Sequence, residues 1–187
     1  GSYLIESHTI SCTPSASILK KCLTKPAADT EGALLIGVPS VTTPLVPAEI
    51  DAVGSFFKRH RTLIGLEATA DELKLNITDN GVIHIACHGK YRADNPRFSS
   101  LVLDHEELFA HDIEELPLED RLIVLSSCES GLNDIVAGEE IIGLTRSFFA
   151  AGAGAILMSL WRINDKMTTD FMKAFYSHLT AGNAVSS

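Results

Sequence analysis

The chain alternates short apolar runs with segments of helical periodicity, and this alternation limits the possible folds more than any other feature. The apolar runs are rich in β-branched residues and bounded by turn formers, as buried strands are. They occupy residues 33–38, 82–87, 122–127 and 155–160. Apolar residues at the spacing of one helix face occur in residues 47–57, 69–77, 138–152 and 165–180. Strands that alternate with helices predict an α/β fold.

The order of these segments also predicts the type of sheet. A strand, a helix and a second strand in succession favour parallel pairing, with helices packed on both faces of the sheet. We therefore predict a mainly parallel central sheet between two layers of helices. Residues 3–10 are predicted to add a strand near an edge, and residues 92–100 to form a long loop or hairpin. The length of 187 residues fits a single domain of ordinary size.

Charge and cysteine usage argue against several classes of function. The chain carries 15 Lys and Arg against 24 Asp and Glu, a formal net charge of −9. Nucleic acid and anionic membrane surfaces attract basic faces, so neither is predicted as a partner. No apolar run approaches the roughly 18 residues of a membrane span. The four cysteines are scattered without a C-x-x-C pair, which predicts reduced thiols and a cytoplasmic location rather than a disulfide scaffold.

Two of the predicted strands end in residues that carry chemistry. Residues 81–89 read GVIHIACHG and stop at His88-Gly89, whereas residues 122–131 read LIVLSSCESG and contain Cys128. Because sites collect beyond the carboxyl ends of central parallel strands, His88 and Cys128 are expected to meet if their strands are neighbours. A thiol and an imidazole are the minimum for nucleophilic catalysis by cysteine. The adjacent glycines permit tight turns, whose backbone N–H groups can face a developing oxyanion.

Four segments of the chain together resemble a known family. They are residues 84–89 (HIACHG), 125–131 (LSSCESG), 138–146 (GEEIIGLTR) and 159–165 (SLWRIND). Upstream, residues 14–17 (PSAS), 34–39 (LLIGVP) and 94–96 (DNP) extend the likeness over nearly the whole chain, in order. The pattern resembles the CHAT domain, a caspase-like cysteine peptidase family commonly attached to tetratricopeptide (TPR) repeats and related to separase. The resemblance implies a caspase-like three-layer sandwich.

The resemblance also implies a role for the two strand-end residues. Cys128 would attack the scissile carbonyl to form a thioester, and His88 would protonate the leaving amine and then assist hydrolysis. The two lie 40 positions apart, close to the caspase gap of about 50. The backbone N–H groups of Gly89 and Cys128 would hold the oxyanion. No metal and no organic cofactor is implied.

Three further residues are expected to contact the substrate. In separase-like relatives the aspartate that corresponds to Asp165 lies in the pocket for the residue before the cut, where it would pair with Arg or Lys. The alternative for Asp165 is to cap a helix that starts at Lys166. Trp161 suits a wall of the same pocket, or plain core packing. Glu129 follows the nucleophile and is expected to shape its loop and line the cleft.

Neighbouring residues have simpler interpretations. Strand alternation turns Cys87 away from His88, which predicts core packing for Cys87. His84 shares the parity of His88, but a core histidine with satisfied hydrogen bonds is the favoured interpretation. A zinc site formed by His84, His88 and Cys128 is disfavoured, because one strand and its neighbour would hold the ligands in awkward mutual positions.

One segment holds most of the negative charge. Residues 104–120 contain no Lys or Arg and eight acidic residues: Asp104, Glu106, Glu107, Asp112, Glu114, Glu115, Glu119 and Asp120. A solvated surface is the favoured interpretation of such a run. The alternative is a face that attracts a basic substrate segment or a basic partner domain.

These observations predict a cysteine endopeptidase that cuts protein substrates at few sites, in signalling, programmed cell death or defence. The alternative is a latent or non-catalytic caspase-like interaction module. We expect residues 3–187 to form one domain, excised from a longer TPR-containing protein and lacking its last helix, with Gly1-Ser2 a cloning remnant. TPR repeats or a regulatory partner are expected beside the protein substrate.

Overall fold

The computed structural model describes residues 3–8, 10–24, 29–92, 94–126, 128–129, 139–159 and 165–182. The helices are α1 (Ala16–Thr24), α2 (Val46–Gly54), α3 (Ala70–Asn76), α4 (Ala110–Ile113), α5 (Glu139–Ala150) and α6 (Asp165–Thr180). The strands are β1 (Gly32–Gly37), β2 (Arg59–Ile64), β3 (Val82–Ala86), β4 (His88–Lys90), β5 (Ser100–Val102), β6 (Glu107–Phe109), β7 (Leu122–Leu125), β8 (Cys128–Glu129) and β9 (Ala155–Met158).

The central sheet has five strands in the order β2-β1-β3-β7-β9, and every neighbouring pair is parallel. All residues of β1, β3 and β7 are buried. Strands covered on both faces read as continuous apolar runs rather than as alternating ones. The predicted α/β fold with a mainly parallel sheet is therefore confirmed.

Helices cover both faces of this sheet. On one face α3, α4 and α5 contribute Leu73, Ile113 and Phe148 to a buried apolar cluster. On the opposite face α2 and α6 contribute Ile50 and Tyr176 to a second cluster. Alternate residues of each strand feed the two clusters, because successive side chains of a strand point to opposite faces. The result is the predicted three-layer sandwich.

A second, smaller sheet lies beyond the carboxyl ends of β3 and β7. Its order is β6-β5-β4-β8, with β4–β5 and β5–β6 antiparallel and β4–β8 parallel. After Cys87 the chain leaves β3 and enters β4, and after β7 it enters β8. The strands β3 and β7 are neighbours in the large sheet, and the strands that follow them, β4 and β8, are neighbours in the small sheet.

The predicted helices form close to their expected positions. Pro47 lies in the first turn of α2, where the missing N–H of proline costs no hydrogen bond. The Thr69 hydroxyl caps α3 by accepting from the N–H of Glu72 at 3.2 Å. The predicted bounds 165–180 coincide with those of α6.

Two expectations about the elements need comment. The strand predicted for residues 3–10 is wrong: Leu4–Glu6 forms a short 3-10 helix, and Tyr3, Leu4 and Ile10 are exposed. Among the described residues of this segment, none belongs to a strand of either sheet. The hairpin predicted around residues 92–100 is confirmed, because β4 and β5 pair in antiparallel fashion on either side of it. Within the hairpin, Pro96–Phe98 forms a 3-10 helix.

Candidate active site

The order of the large sheet sends the loops that follow β1 and β3 in opposite directions, and the region between these two loops is called the crevice below. From β1 the chain crosses through α2 to β2 on one side, whereas β3 and the following strands build the other side. The two loops therefore diverge from neighbouring strands at a topological switch point, where open α/β sheets place their sites. The loop after β1 contains Ser40, Thr42 and Thr43, and the chain after β3 reaches His88.

His88 and Cys128 occupy directly opposed positions in the small sheet. In the parallel pair β4–β8, His88 is the register partner of Cys128, and Gly89 is the partner of Glu129. Neighbouring strands lie roughly 5 Å apart, so the backbones of the two residues are in immediate contact. The strands β3 and β7 that lead to them are themselves paired. His88 and Cys128 were expected to meet if their strands were neighbours, and these strands are neighbours.

The imidazole of His88 contacts two hydroxyl groups. Its Nε2 atom lies 2.7 Å from Ser40 Oγ and 3.0 Å from Thr42 Oγ1, and the ring is half-buried. Sequence reasoning missed both hydroxyl residues. The available signal was the polar stretch Ser40–Thr43 directly after a buried strand, but its meaning depends on β1 and β3 being neighbours.

Gly89 lies inside a strand rather than in a tight turn. It pairs with Leu101 of β5 on one side and with Glu129 of β8 on the other. A Cβ atom at this position would approach the ring of Tyr91, with Oη at 3.0 Å and Cζ at 3.1 Å. The expected reason for glycine, a tight turn, is thus wrong for Gly89; glycine fits here because the Tyr91 ring packs closely against its backbone.

The expected substrate residues lie in different parts of the chain. Glu129 belongs to β8, next to Cys128. Asp165 is the first residue of α6. Trp161 lies outside the described residues.

Similarity to known proteins shows which family the chain belongs to. The whole chain, residues 1–187, matches the CHAT domain. The chain belongs to the CHAT domain family. It is 37% identical to human tetratricopeptide repeat protein 28 over 97 residues and 40% identical to the mouse protein of that name over 75 residues. These matches cover 52% and 40% of the chain, but only 4% and 3% of the relatives, so the chain spans a small part of their length.

The fold of this CHAT domain is similar to that of a flavodoxin among solved structures. A flavodoxin from Streptococcus pneumoniae TIGR4 superimposes with a TM-score of 0.50 and 12% identity, covering 81% of this chain and 99% of the flavodoxin. At that identity the likeness shows the α/β fold alone. Separately, none of the helices in the described ranges is long and apolar enough to cross a membrane.

Two residues that precede His88 along the chain, Cys87 and His84, are part of the core, as predicted. Cys87 is 2% exposed, and burial raises the pKa of its thiol to about 12. His84 is fully buried, with Nδ1 3.0 Å from Tyr176 Oη and Nε2 3.1 Å from Glu49 Oε1. Burial, and secondarily the charge of Glu49, raises the pKa of Tyr176 well above its ordinary value. Both ring nitrogens of His84 therefore face core partners rather than the crevice.

One ligand of the zinc site considered above, His84, is held in the core. Among the residues that the structure describes, no three His, Cys, Asp or Glu side chains are grouped as metal ligands would be. The zinc site considered for His84, His88 and Cys128 would need His84 to leave Glu49 and Tyr176, which hold it in the core.

Much of the acidic segment 104–120 has a structural role. Glu106 Oε1 accepts from the N–H of Ala70 at 2.7 Å, at the start of α3, and Asp112 Oδ2 accepts from the N–H of Phe109 at 3.1 Å, at the start of α4. Glu114 accepts from the Ser147 hydroxyl at 3.2 Å. Carboxylates at helix starts satisfy N–H groups and complement the helix dipole. These carboxylates therefore bond within the chain, a role that neither interpretation of the segment anticipated.

Proposed function

We propose that this CHAT domain is a cysteine endopeptidase with His88 and Cys128 as its catalytic dyad. The observation that carries the proposal is the β4–β8 register, in which the two residues are direct partners beside a crevice at the topological switch point. Family membership supports it, since CHAT domains are related to caspase-like peptidases. A thiol and an imidazole held by adjacent backbones are the groups that thioester chemistry requires.

In the proposed reaction His88 takes the proton of the Cys128 thiol, and the sulfur bonds to the carbonyl carbon of the substrate. The C–N bond then breaks, and His88 gives that proton to the leaving amine. Water next attacks the thioester and gives a proton to His88, the C–S bond breaks, and His88 returns the proton to the sulfur of Cys128. Backbone N–H groups of Gly89 and Cys128 are the proposed oxyanion donors, each contributing on the order of 3 kcal/mol to the transition state.

The proposed substrate is a protein segment cut at few sites. Asp165, Trp161 and Glu129 are proposed to line the pocket before the scissile bond, and an Asp165 carboxylate would favour Arg or Lys there. The tetratricopeptide repeat proteins similar to this chain support a TPR segment or regulatory partner. Signalling, programmed cell death and defence are the proposed contexts.

Covalent labelling tests the proposal directly. Peptidyl acyloxymethyl ketones with Arg, Lys, Leu, Met or Asp before the reactive group are incubated with the chain, and intact mass is recorded. The background carries Cys12→Ser and Cys22→Ser, because Cys12 is exposed and Cys22 half-buried. Cys87 serves as an internal control: with a thiol pKa of about 12 it holds almost no thiolate at neutral pH and is expected to stay unmodified.

The expected result is one adduct, absent in Cys128→Ala and slowed on the order of 100-fold in His88→Ala. No adduct from any probe, or an adduct that persists in Cys128→Ala, contradicts the peptidase and favours an interaction module. A preference for Arg or Lys that is lost in Asp165→Asn supports the proposed pocket. A preference for Leu or Met keeps the peptidase and overturns the role of Asp165.

A further inference from the structure

Three hydroxyl groups form a cluster beside the Nε2 atom of His88, and two of them contact it. Ser40 Oγ lies at its centre, 2.7 Å from Nε2, 2.8 Å from Thr43 Oγ1 and 3.0 Å from Thr42 Oγ1. Thr42 Oγ1 also contacts Nε2 directly, at 3.0 Å. The Thr43 side chain is buried, whereas that of Thr42 is exposed. The cluster thus runs from the protein interior to the crevice.

The hydrogen-bonding capacity of Ser40 limits what it can do for the imidazole. A serine hydroxyl has two acceptor lone pairs and one O–H donor. Ser40 Oγ accepts from the backbone N–H groups of Thr42 and Thr43, each at 3.2 Å. The Thr43 N–H also donates to the Ser40 carbonyl oxygen, at 3.2 Å. With both N–H groups directed at its lone pairs, Ser40 Oγ is arranged to donate its own hydrogen, and His88 Nε2 is its shortest neighbour, at 2.7 Å.

This assignment determines the neutral tautomer of His88. If Nε2 accepts the Ser40 hydrogen, the single ring proton of the neutral imidazole lies on Nδ1. A proton that His88 takes up then enters at Nε2, and the resulting N–H needs an acceptor. Ser40 has no lone pair left for it. Thr42 Oγ1, at 3.0 Å, is available to accept.

The Ser40 hydrogen also has an alternative acceptor for that second state. When Nε2 is protonated, the Ser40 O–H can turn toward Thr43 Oγ1, which lies 2.8 Å away. The change needs rotation of hydroxyl hydrogens and no movement of heavy atoms. One fixed arrangement therefore satisfies both the neutral and the charged imidazole.

We propose that Ser40 and Thr42 are positioning residues for His88, Ser40 donating to Nε2 of the neutral ring and Thr42 accepting from Nε2–H of the imidazolium. The catalytic consequence rests on the proposed peptidase function, in which His88 alternates between the two forms. A pre-arranged hydrogen-bond partner for each form avoids reorganisation during proton transfer. The tautomer assignment itself stands on the hydroxyl contacts and is independent of activity.

Nitrogen NMR of ¹⁵N-histidine-labelled protein tests the assignment without any substrate. Above the pH range in which imidazoles titrate, the His88 signals of the native chain are expected to report a proton on Nδ1 and an unprotonated Nε2. Ser40→Ala is expected to weaken that preference, and Ser40→Thr, which retains a hydroxyl, to restore it. Ser55→Ala, a matched loss of an exposed serine hydroxyl away from the crevice, is expected to leave the signals unchanged.

The functional part of the inference is measured by the rate of Cys128 labelling. Ser40→Ala and Thr42→Val are each expected to slow labelling on the order of tenfold, with Ser55→Ala unchanged. Because Thr42 is exposed, its near-isosteric replacement by Val leaves the fold intact. A proton on Nε2 in the native chain, or a tautomer unaffected by Ser40→Ala, overturns the assignment. If the tautomer is as expected but Cys128 is never labelled, the peptidase proposal fails and the assignment stands.

Discussion

The two sheets of this CHAT domain are stabilised in different ways. In the large sheet the strands β1, β3 and β7 are buried along their whole length and pack against apolar residues on both faces. The small sheet has strands of two or three residues, and its members β4 and β6 are joined by an ion pair between Lys90 and Glu107. Ser100 of β5 also donates to Glu107, at 2.7 Å.

Most of the stability of the molecule comes from the large sheet, whereas the candidate site lies on the small sheet. The small sheet carries His88 and Cys128. Its ion pair between Lys90 and Glu107 is partly exposed to solvent, and its buried residues Leu101 and Leu108 belong to an apolar cluster of the large sheet. Buried apolar area contributes far more free energy than exposed ion pairs do. The site thus lies on the small sheet, next to the large sheet with its two apolar clusters, which we call the platform.

The largest expected effect comes from the large sheet. Leu34 in β1 is fully buried, and Leu34→Ala is expected to lower the free energy of unfolding by about 2–5 kcal/mol through lost burial and a cavity. The matched control is Leu75→Ala on α3, where the leucine is 72% exposed and the expected loss is below about 0.5 kcal/mol. Denaturant unfolding measures both variants. Equal losses in the free energy of unfolding would contradict the distinction between the buried platform and the exposed surface.

A smaller effect is expected from three buried polar residues inside the platform, Glu49, His84 and Tyr176. Tyr176→Phe removes the hydroxyl that meets His84 Nδ1 at 3.0 Å in a fully buried setting. A buried nitrogen left without its partner costs about 1–3 kcal/mol in the free energy of unfolding. Tyr3→Phe, at an exposed tyrosine, is the control and is expected to change nothing measurable. A loss no larger than in the control would contradict a structural role for this group.

The smallest effect is expected in the small sheet. Hydrogen bonds from Lys90, and secondarily from Ser100, lower the pKa of Glu107. A lowered folded-state pKa means that the stabilisation is fully present above the ordinary glutamate pKa and is lost as the pH falls through the lowered value. Glu107→Gln should therefore cost less than about 1 kcal/mol at neutral pH, since the Lys90 side chain is half exposed to screening solvent.

The Glu107 effect is measured as the difference in unfolding free energy between native chain and Glu107→Gln across a pH series. The difference is expected to shrink toward zero in acid, and Glu115→Gln, in the same acidic segment, is measured alongside as the control. A difference that grows in acid would have the wrong sign and would refute the role assigned to the Lys90–Glu107 pair.

The elements that could be predicted from the sequence are those of the platform. Strands buried on both faces are continuous apolar runs, which is why β1, β3, β7 and β9 were located within a few residues. The strand β2 was missed because it begins with Arg59, His60 and Arg61, all exposed, and so has no apolar run. The strands of the small sheet are too short to show any periodicity.

The same division holds for the candidate site. His88 and Cys128 could be selected from the sequence because each directly follows a recognisable buried strand, and local order along the chain is what a sequence displays. The contact of Ser40 with His88 joins residues 48 positions apart. It exists because β1 and β3 are neighbours in the strand order, and that order is decided by the packing of the helices on both faces. The chemical groups were therefore set by the sequence, and their partners by the tertiary structure.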